Sequence, residues 1–195
     1  MPIEFASFAF IITLAAVVNG LGIVRWLTGL ADYLKRRDTL DVQNYSVFSV
    51  FAGFQFLMHI LLWWSLWSVR GAAEINFLMY VYLLAGPVLL FLGTSVLAPN
   101  IDTKTVDMRK HYYAVRATYS SVLALLWLWA IFLGPILRGE FAPTLPVFSL
   151  FFLIALIHRL AASPKFQAVI AGANWLLLIL FVALYGMQLG GIAQA

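Results

Sequence analysis

The sequence predicts an all-α fold: a polytopic helical bundle of about six transmembrane helices, with 1–195 forming a single membrane domain. Three observations predict it. Hydrophobic residues make up 64% of the 195 and charged residues only 10%, where a soluble domain carries about 25% charged residues. Mean hydropathy is +0.95, more apolar surface than a water-soluble fold of this size can hide. The apolar residues form long continuous runs rather than alternating, which selects helices over a membrane barrel.

Crossing about 30 Å of hydrocarbon takes about 20 helical residues. Spans are expected at 5–26, 47–69, 75–98, 113–137, 144–160 and 166–187. The N-terminal Met1-Pro2-Ile3-Glu4-Phe5 lacks the basic residues of a signal peptide, so the first run is expected to be a retained span. The fifth run is the shortest and begins among Pro143 and Pro146. With no cysteine, neither disulfides nor thiolate metal ligands enter the reading.

The charges orient the bundle. Arg25, Lys35, Arg36, Arg37, Lys104, Arg109, Lys110, Arg116, Arg159 and Lys165 lie in or beside joins 1–2, 3–4 and 5–6, whereas Arg70 and Arg138 alone flank joins 2–3 and 4–5. The positive-inside rule places the first group in the cytoplasm and both termini outside. A net charge of +4 therefore reads as topology, and nucleic acid is not an expected partner. The two outer joins, Arg70-Gly71 through Glu74 and Arg138-Gly139-Glu140, read as helix caps: Arg at the negative end of one helix, Gly in a left-handed C-cap, Glu at the start of the next.

The stretch 17–26, VVNGLGIVRW, sets Arg25 about 20 residues from Phe5, at the expected cytoplasmic boundary. Trp26 joins the inner aromatic belt, and Leu27, Leu30, Ala31 and Leu34 suggest a short amphipathic helix along the membrane surface. The competing reading makes Asn19-Gly20-Leu21-Gly22 a break in the helix, with Arg25 facing an anionic solute. Of the three tryptophans ending span 2, Trp67 suits the outer belt while Trp63 lies deeper and is expected to pack. Ala16/Gly20, Ser49/Gly53, Ala168/Gly172 and Gly186/Gly190 are small-residue pairs that permit close helix approach, within the subunit or in a homo-oligomer.

No carboxylate falls in the hydrocarbon middle, so a buried Asp or Glu of the kind ion-driven transporters use is missing. His59 is the ionisable group nearest a midplane, with Gln55 one turn before it and Trp63 one turn after. Span 3 carries Asn76, Tyr80, Pro87 and Thr94 on one narrow face, with Pro87 a place where a kink opens space. Asn19 and Asn174 fall at comparable depth. Asn19, Gln55, His59, Tyr80 and Asn174 are thus the candidate substrate or pore residues, against the reading that they only hydrogen-bond helix to helix. Val47-Phe48-Ser49-Val50-Phe51 before His59 and Val147-Phe148-Ser149-Leu150-Phe151 before His158 admit an inverted repeat.

On the cytoplasmic side Arg25, Arg109, Arg116, His158 and Arg159 are candidates for contact with anionic lipid or another anion. Neither a phosphate-binding glycine loop, a zinc-peptidase pair nor a serine-nucleophile motif occurs. Bis-histidine haem needs two facing histidines at one depth, which His59, His111 and His158 do not supply, and no cofactor is assigned. Three functions remain in order: a channel or secondary transporter for a small solute or ion centred on His59; a non-catalytic module binding lipid or a membrane-protein partner through its basic rim; and an integral membrane enzyme or cofactor carrier. A bacterial cytoplasmic membrane suits the multispan pattern.

Overall fold

A computed structural model describes residues 5–36, 41–71, 75–99 and 105–187. Glu4 of the N-terminal stretch, Arg37, Glu74 and Lys104 of the joins, and Gly190 lie outside them. Six helices are described: α1 (Phe5–Arg36), α2 (Ser46–Ser65), α3 (Phe77–Leu97), α4 (Met108–Arg138), α5 (Leu145–Leu160) and α6 (Pro164–Phe181). Five of these segments are long and apolar enough to cross a membrane, and α5, with 16 residues, is shorter. The chain is an all-α helical bundle of membrane-protein character.

Two short strands, β1 (Asp41–Gln43) and β2 (Thr105–Asp107), pair in parallel with Val42 opposite Val106, tying join 1–2 to join 3–4. Lys35, Arg36, Arg109, Lys110, Arg159 and Lys165 are exposed around this end. We call it the basic end; Arg70 and Arg138 lie at the other.

Helix α1 departs from expectation. It does not stop at Arg25, nor does it break at Asn19-Gly20-Leu21-Gly22 or bend into a separate surface helix. Its 32 residues form one helix, about 48 Å long at 1.5 Å per residue. No proline interrupts it, and a glycine inside a helix costs only about 1 kcal/mol, less than the backbone hydrogen bonds a break would expose to hydrocarbon. Its lipid-facing stripe runs through Phe10, Leu14, Val17, Leu21, Val24, Leu27, Leu30 and Leu34.

Capping sets the helix ends. Asn76 Oδ1 accepts from the Met79 amide at the start of α3, and Asp107 Oδ1 from the Lys110 amide at the start of α4. Gly139, φ +77°, ends α4 in the left-handed cap expected of it. The other outer join differs: α2 tightens into a 3-10 segment, Leu66–Gly71. There Arg70 stacks over Trp67, which also packs edge-on against Phe8. Trp67 is thus held by the protein while Trp63 is 53% exposed, the reverse of the expectation. Hydrocarbon does not penalise an exposed apolar ring, so depth alone does not force Trp63 inward.

Helix α5 is short because its approach is folded back. The carbonyl of Glu140 and the amide of Ala142 lie against Gly134, where a side chain would collide with that carbonyl at 2.7 Å. Phe141 meets Phe132 at 6.2 Å. The join descends along α4 before α5 begins, so 16 residues suffice to reach the basic end. The main core is aromatic: Phe51, Phe54, Tyr112, Tyr119, Trp127 and Phe151 of α2, α4 and α5, closed by Ile170, Leu178 and Phe181 of α6. Helix α1 lies chiefly along α3.

Because the chain has no cysteine, sidedness is readable with single substitutions at exposed sites. Lys110→Cys is expected to react with an impermeant maleimide only after cells are opened, and Glu140→Cys in intact cells. Labelling of both from one side would refute the orientation.

Candidate functional site

Four helices meet at one polar network. His59 and Gln55 of α2 are fully buried, with Asn19 of α1, Thr94 of α3 and Tyr119 of α4 around them. Asn19 Nδ2 donates to the His59 carbonyl at 3.1 Å, which turns its Oδ1 toward the ring, 2.8 Å from His59 Nδ1. Oδ1 only accepts, so Nδ1 carries a proton in the neutral ring and Nε2 is left as an acceptor. The Thr94 hydroxyl, 2.7 Å from Nε2, then donates to it. Gln55 Nε2 donates to Thr94 Oγ1 at 3.1 Å and to the Leu90 carbonyl at 2.9 Å, and Tyr119 donates to Gln55 Oε1 at 3.1 Å. Each donor has an acceptor, as a low-dielectric interior demands.

Glycines on neighbouring helices make room for it. A Cβ on Gly22 would lie 2.1 Å from His59 Cε1, and one on Gly93 3.0 Å from Gln55 Nε2. Gly86 likewise admits the Trp129 ring, whose Nε1 donates to the Tyr82 carbonyl while Tyr82 donates back to the Trp129 carbonyl. These close approaches seat α1 and α3 on α2 and α3 on α4. Gly20 and Gly172, by contrast, meet nothing within 4 Å, and Gly53 only touches Trp175.

A cavity of about 260 Å³ leads from the basic end to this network. Gln55 and Thr94 line it deepest; Phe48, Ser49 and Ala52 form the α2 wall; Arg25, Tyr33 and Asn44 stand toward the basic end. Among the described residues no carboxylate lines it. Trp26 is pinned beside it by a hydrogen bond from Nε1 to the Ala52 carbonyl and by a tilted ring contact with Phe56 at 4.6 Å, so it is a packing residue more than a belt residue.

Of the five central candidates, Asn19, Gln55 and His59 come together. Tyr80 does not: it lies 14 residues from Thr94 on α3, about 21 Å along the helix, and is half-buried. Thr94, on the same face of span 3, is the residue that reaches His59. Asn174 is buried but its Nδ2 bonds the Ile170 carbonyl of its own helix, outside the network. Asn76 is spent on capping. Tyr119 was not singled out, because a tyrosine in an aromatic span carries no periodic signal of its own.

The basic rim separates into two groups. Arg25, Arg109 and Arg159 are exposed, with Arg159 Nη1 donating to Ser121 Oγ. His158 is not on the rim: it is 1% exposed, stacked face-on against Phe51 at 4.6 Å. Tyr112 donates to Gln167 Oε1 at 2.5 Å and lies 2.7 Å from His158 Nε2, which must therefore donate to it. Arg116 is half-buried, and its Nη1 donates to the carbonyls of His158, Arg159 and Ala161, closing the C-terminus of α5 where a helix end attracts a cation. The roles of Tyr112 and Gln167 follow from how α4, α5 and α6 converge. Nearby, burial and a contact with the Tyr113 hydroxyl push the Tyr45 phenol up to about 12.

Among the described residues no three or more of His, Asp and Glu cluster as metal ligands would. Compared with protein-family models, curated proteins and solved structures, the chain matches none.

Gly22→Ala is expected to destabilise the bundle by about 1–3 kcal/mol through overpacking on His59, while Gly20→Ala is neutral or stabilises by up to about 1 kcal/mol through helix propensity. Thermal unfolding in detergent reads both, and equal effects would contradict the packing described.

Proposed function

We infer that this protein is a membrane transporter or facilitator for a small neutral or anionic polar solute, with its site open to the basic, cytoplasmic end. The observation that carries the reading is the 260 Å³ cavity running from Arg25 to Gln55 and Thr94. A cavity of about 150 Å³ takes benzene, so this one suits a solute of about ten heavy atoms. With a guanidinium at one end and no carboxylate among the described lining residues, the lining favours anions and neutral molecules over cations. Gln55 Oε1 retains a lone pair, and Thr94 joins the cavity directly to His59.

On the side of the network away from the basic end, Phe8, Ala15, Leu66 and Leu83 form a second buried apolar cluster, which suits one state of an alternating-access cycle. The exposed Arg109, Lys110, Arg159 and Lys165 complement anionic lipid headgroups of a bacterial cytoplasmic membrane. A second reading, a non-catalytic membrane module, is favoured by one observation: the network is closed within the protein, which is what pure helix-to-helix bonding needs.

The test is flux in proteoliposomes with two radiolabelled probes, glycerol and lactate. Flux of at least one above empty liposomes is expected, falling about tenfold or more in Ala52→Trp, which fills the cavity. Gln55→Leu should also reduce it. Flux equal in wild type and Ala52→Trp, or none for either probe with no thermal stabilisation by them, would favour the module.

A further inference from the structure

The outer half of the bundle contains a second cavity, unconnected with the transport reading. It has a volume of about 90 Å³ and lies among α2, α4, α5 and α6. Its walls are apolar, with Leu126, Phe148, Leu178 and Phe181 among them. Two polar side chains that line it have no partner. Trp127 is 4% exposed and its Nε1 donates to nothing; Thr144 is fully buried and its Oγ1 is bonded to nothing.

Neither orphan is free to find a partner elsewhere. The Trp127 ring is clamped parallel to Phe151, with centroids 4.1 Å apart and 7° between planes. Thr144 holds the N-cap position of α5, where its hydroxyl would ordinarily accept from a backbone amide, yet it makes no capping bond. An unpaired buried donor costs about 1–3 kcal/mol, so two in one cavity point to a third party that bonds them. Arg138, half-buried in the last turn of α4, lines the same cavity, and among the described residues no carboxylate does.

Two donors and a guanidinium select an acceptor with negative charge, and the walls select hydrocarbon. We propose that this cavity binds the oxyanion end of a hydrocarbon chain, with its oxygens on Trp127 Nε1 and Thr144 Oγ1 and the Arg138 guanidinium as its counter-charge at the outer end of the cavity. The volume sets the scale: if about 150 Å³ takes benzene, 90 Å³ takes about four heavy atoms, a carboxylate and its first methylene. The rest of the chain then leaves past Leu61 and Leu62, half-buried residues of α2 that line the cavity. A free long-chain carboxylate and the phosphate of an anionic lipid share this chemistry.

The test measures binding to the purified full chain in detergent at pH 8, using decanoate, decanol and phosphatidylglycerol. Decanoate is expected to bind at least tenfold more tightly than decanol. Thr144→Val and Arg138→Gln should each weaken decanoate about tenfold and change decanol less than twofold. Thr144→Val should leave the melting temperature of the ligand-free protein unchanged or raised, because the hydroxyl it removes is bonded to nothing. Arg138 is half-exposed, so its variant gives the same reading if Thr144→Val fails to fold. Displacement of decanoate by phosphatidylglycerol assigns the site to lipid phosphate, and its failure assigns it to a free carboxylate. Equal affinity for decanoate and decanol, no binding of decanoate, or decanoate affinity unchanged in both variants would overturn the proposal and leave a cavity that holds water alone.

Discussion

The hydrogen bonds around His59 are the constraint to which much of the bundle answers. In hydrocarbon an imidazole, two amides, a threonine and a phenol have no water to turn to, and each unpaired group costs several kcal/mol. Asn19, Gln55, His59, Thr94 and Tyr119 resolve that by bonding one another across α1, α2, α3 and α4. Interhelical hydrogen bonds in membranes contribute only about 0.6–2 kcal/mol each. Their larger effect is on register: Gly22 must face the imidazole and Gly93 the Gln55 amide, or the rings and amides do not fit.

The same geometry links structure to function. Thr94 has one proton to donate and two acceptors within reach, His59 Nε2 at 2.7 Å and the Leu90 carbonyl at 3.3 Å. Its hydroxyl accepts from Gln55 in either arrangement. The deepest part of the cavity is therefore lined by groups whose hydrogen bonds also set the packing of α1 and α3. In the transport function proposed above, a solute that drew on Gln55 or Thr94 would perturb helix contacts, the differential interaction a two-state transporter requires.

The two histidine-centred clusters illustrate how similar sequence signals part company. The segments 47–51 and 147–151 both bury their Val and final Phe. Yet His59 joins helices through a fully bonded ring, whereas His158 keeps Nδ1 without a partner and stacks on Phe51. Arg116 illustrates a related point: a guanidinium beside a membrane interface reads as a lipid contact until the carbonyls at the end of α5 are seen to claim it.

What the sequence by itself determined is the solvent and the number of rods. Runs of apolar residues near the length of a bilayer crossing, and cations gathered at alternate joins, follow from desolvation cost and are local properties of the chain. It also placed Asn19, Gln55 and His59, because a polar side chain at membrane depth needs a reason wherever it points. What only tertiary structure decided is which partner each finds. Thr94 and not Tyr80 meets His59, Asn174 bonds its own helix, α1 runs unbroken past Arg25, and His158 turns inward. Each depends on the rotation and axial offset of one helix against another. Within lipid the polarity of a helix face leaves these weakly specified, since an apolar side chain is equally at ease against lipid or protein. They are set instead by where glycines allow contact and where hydrogen bonds close.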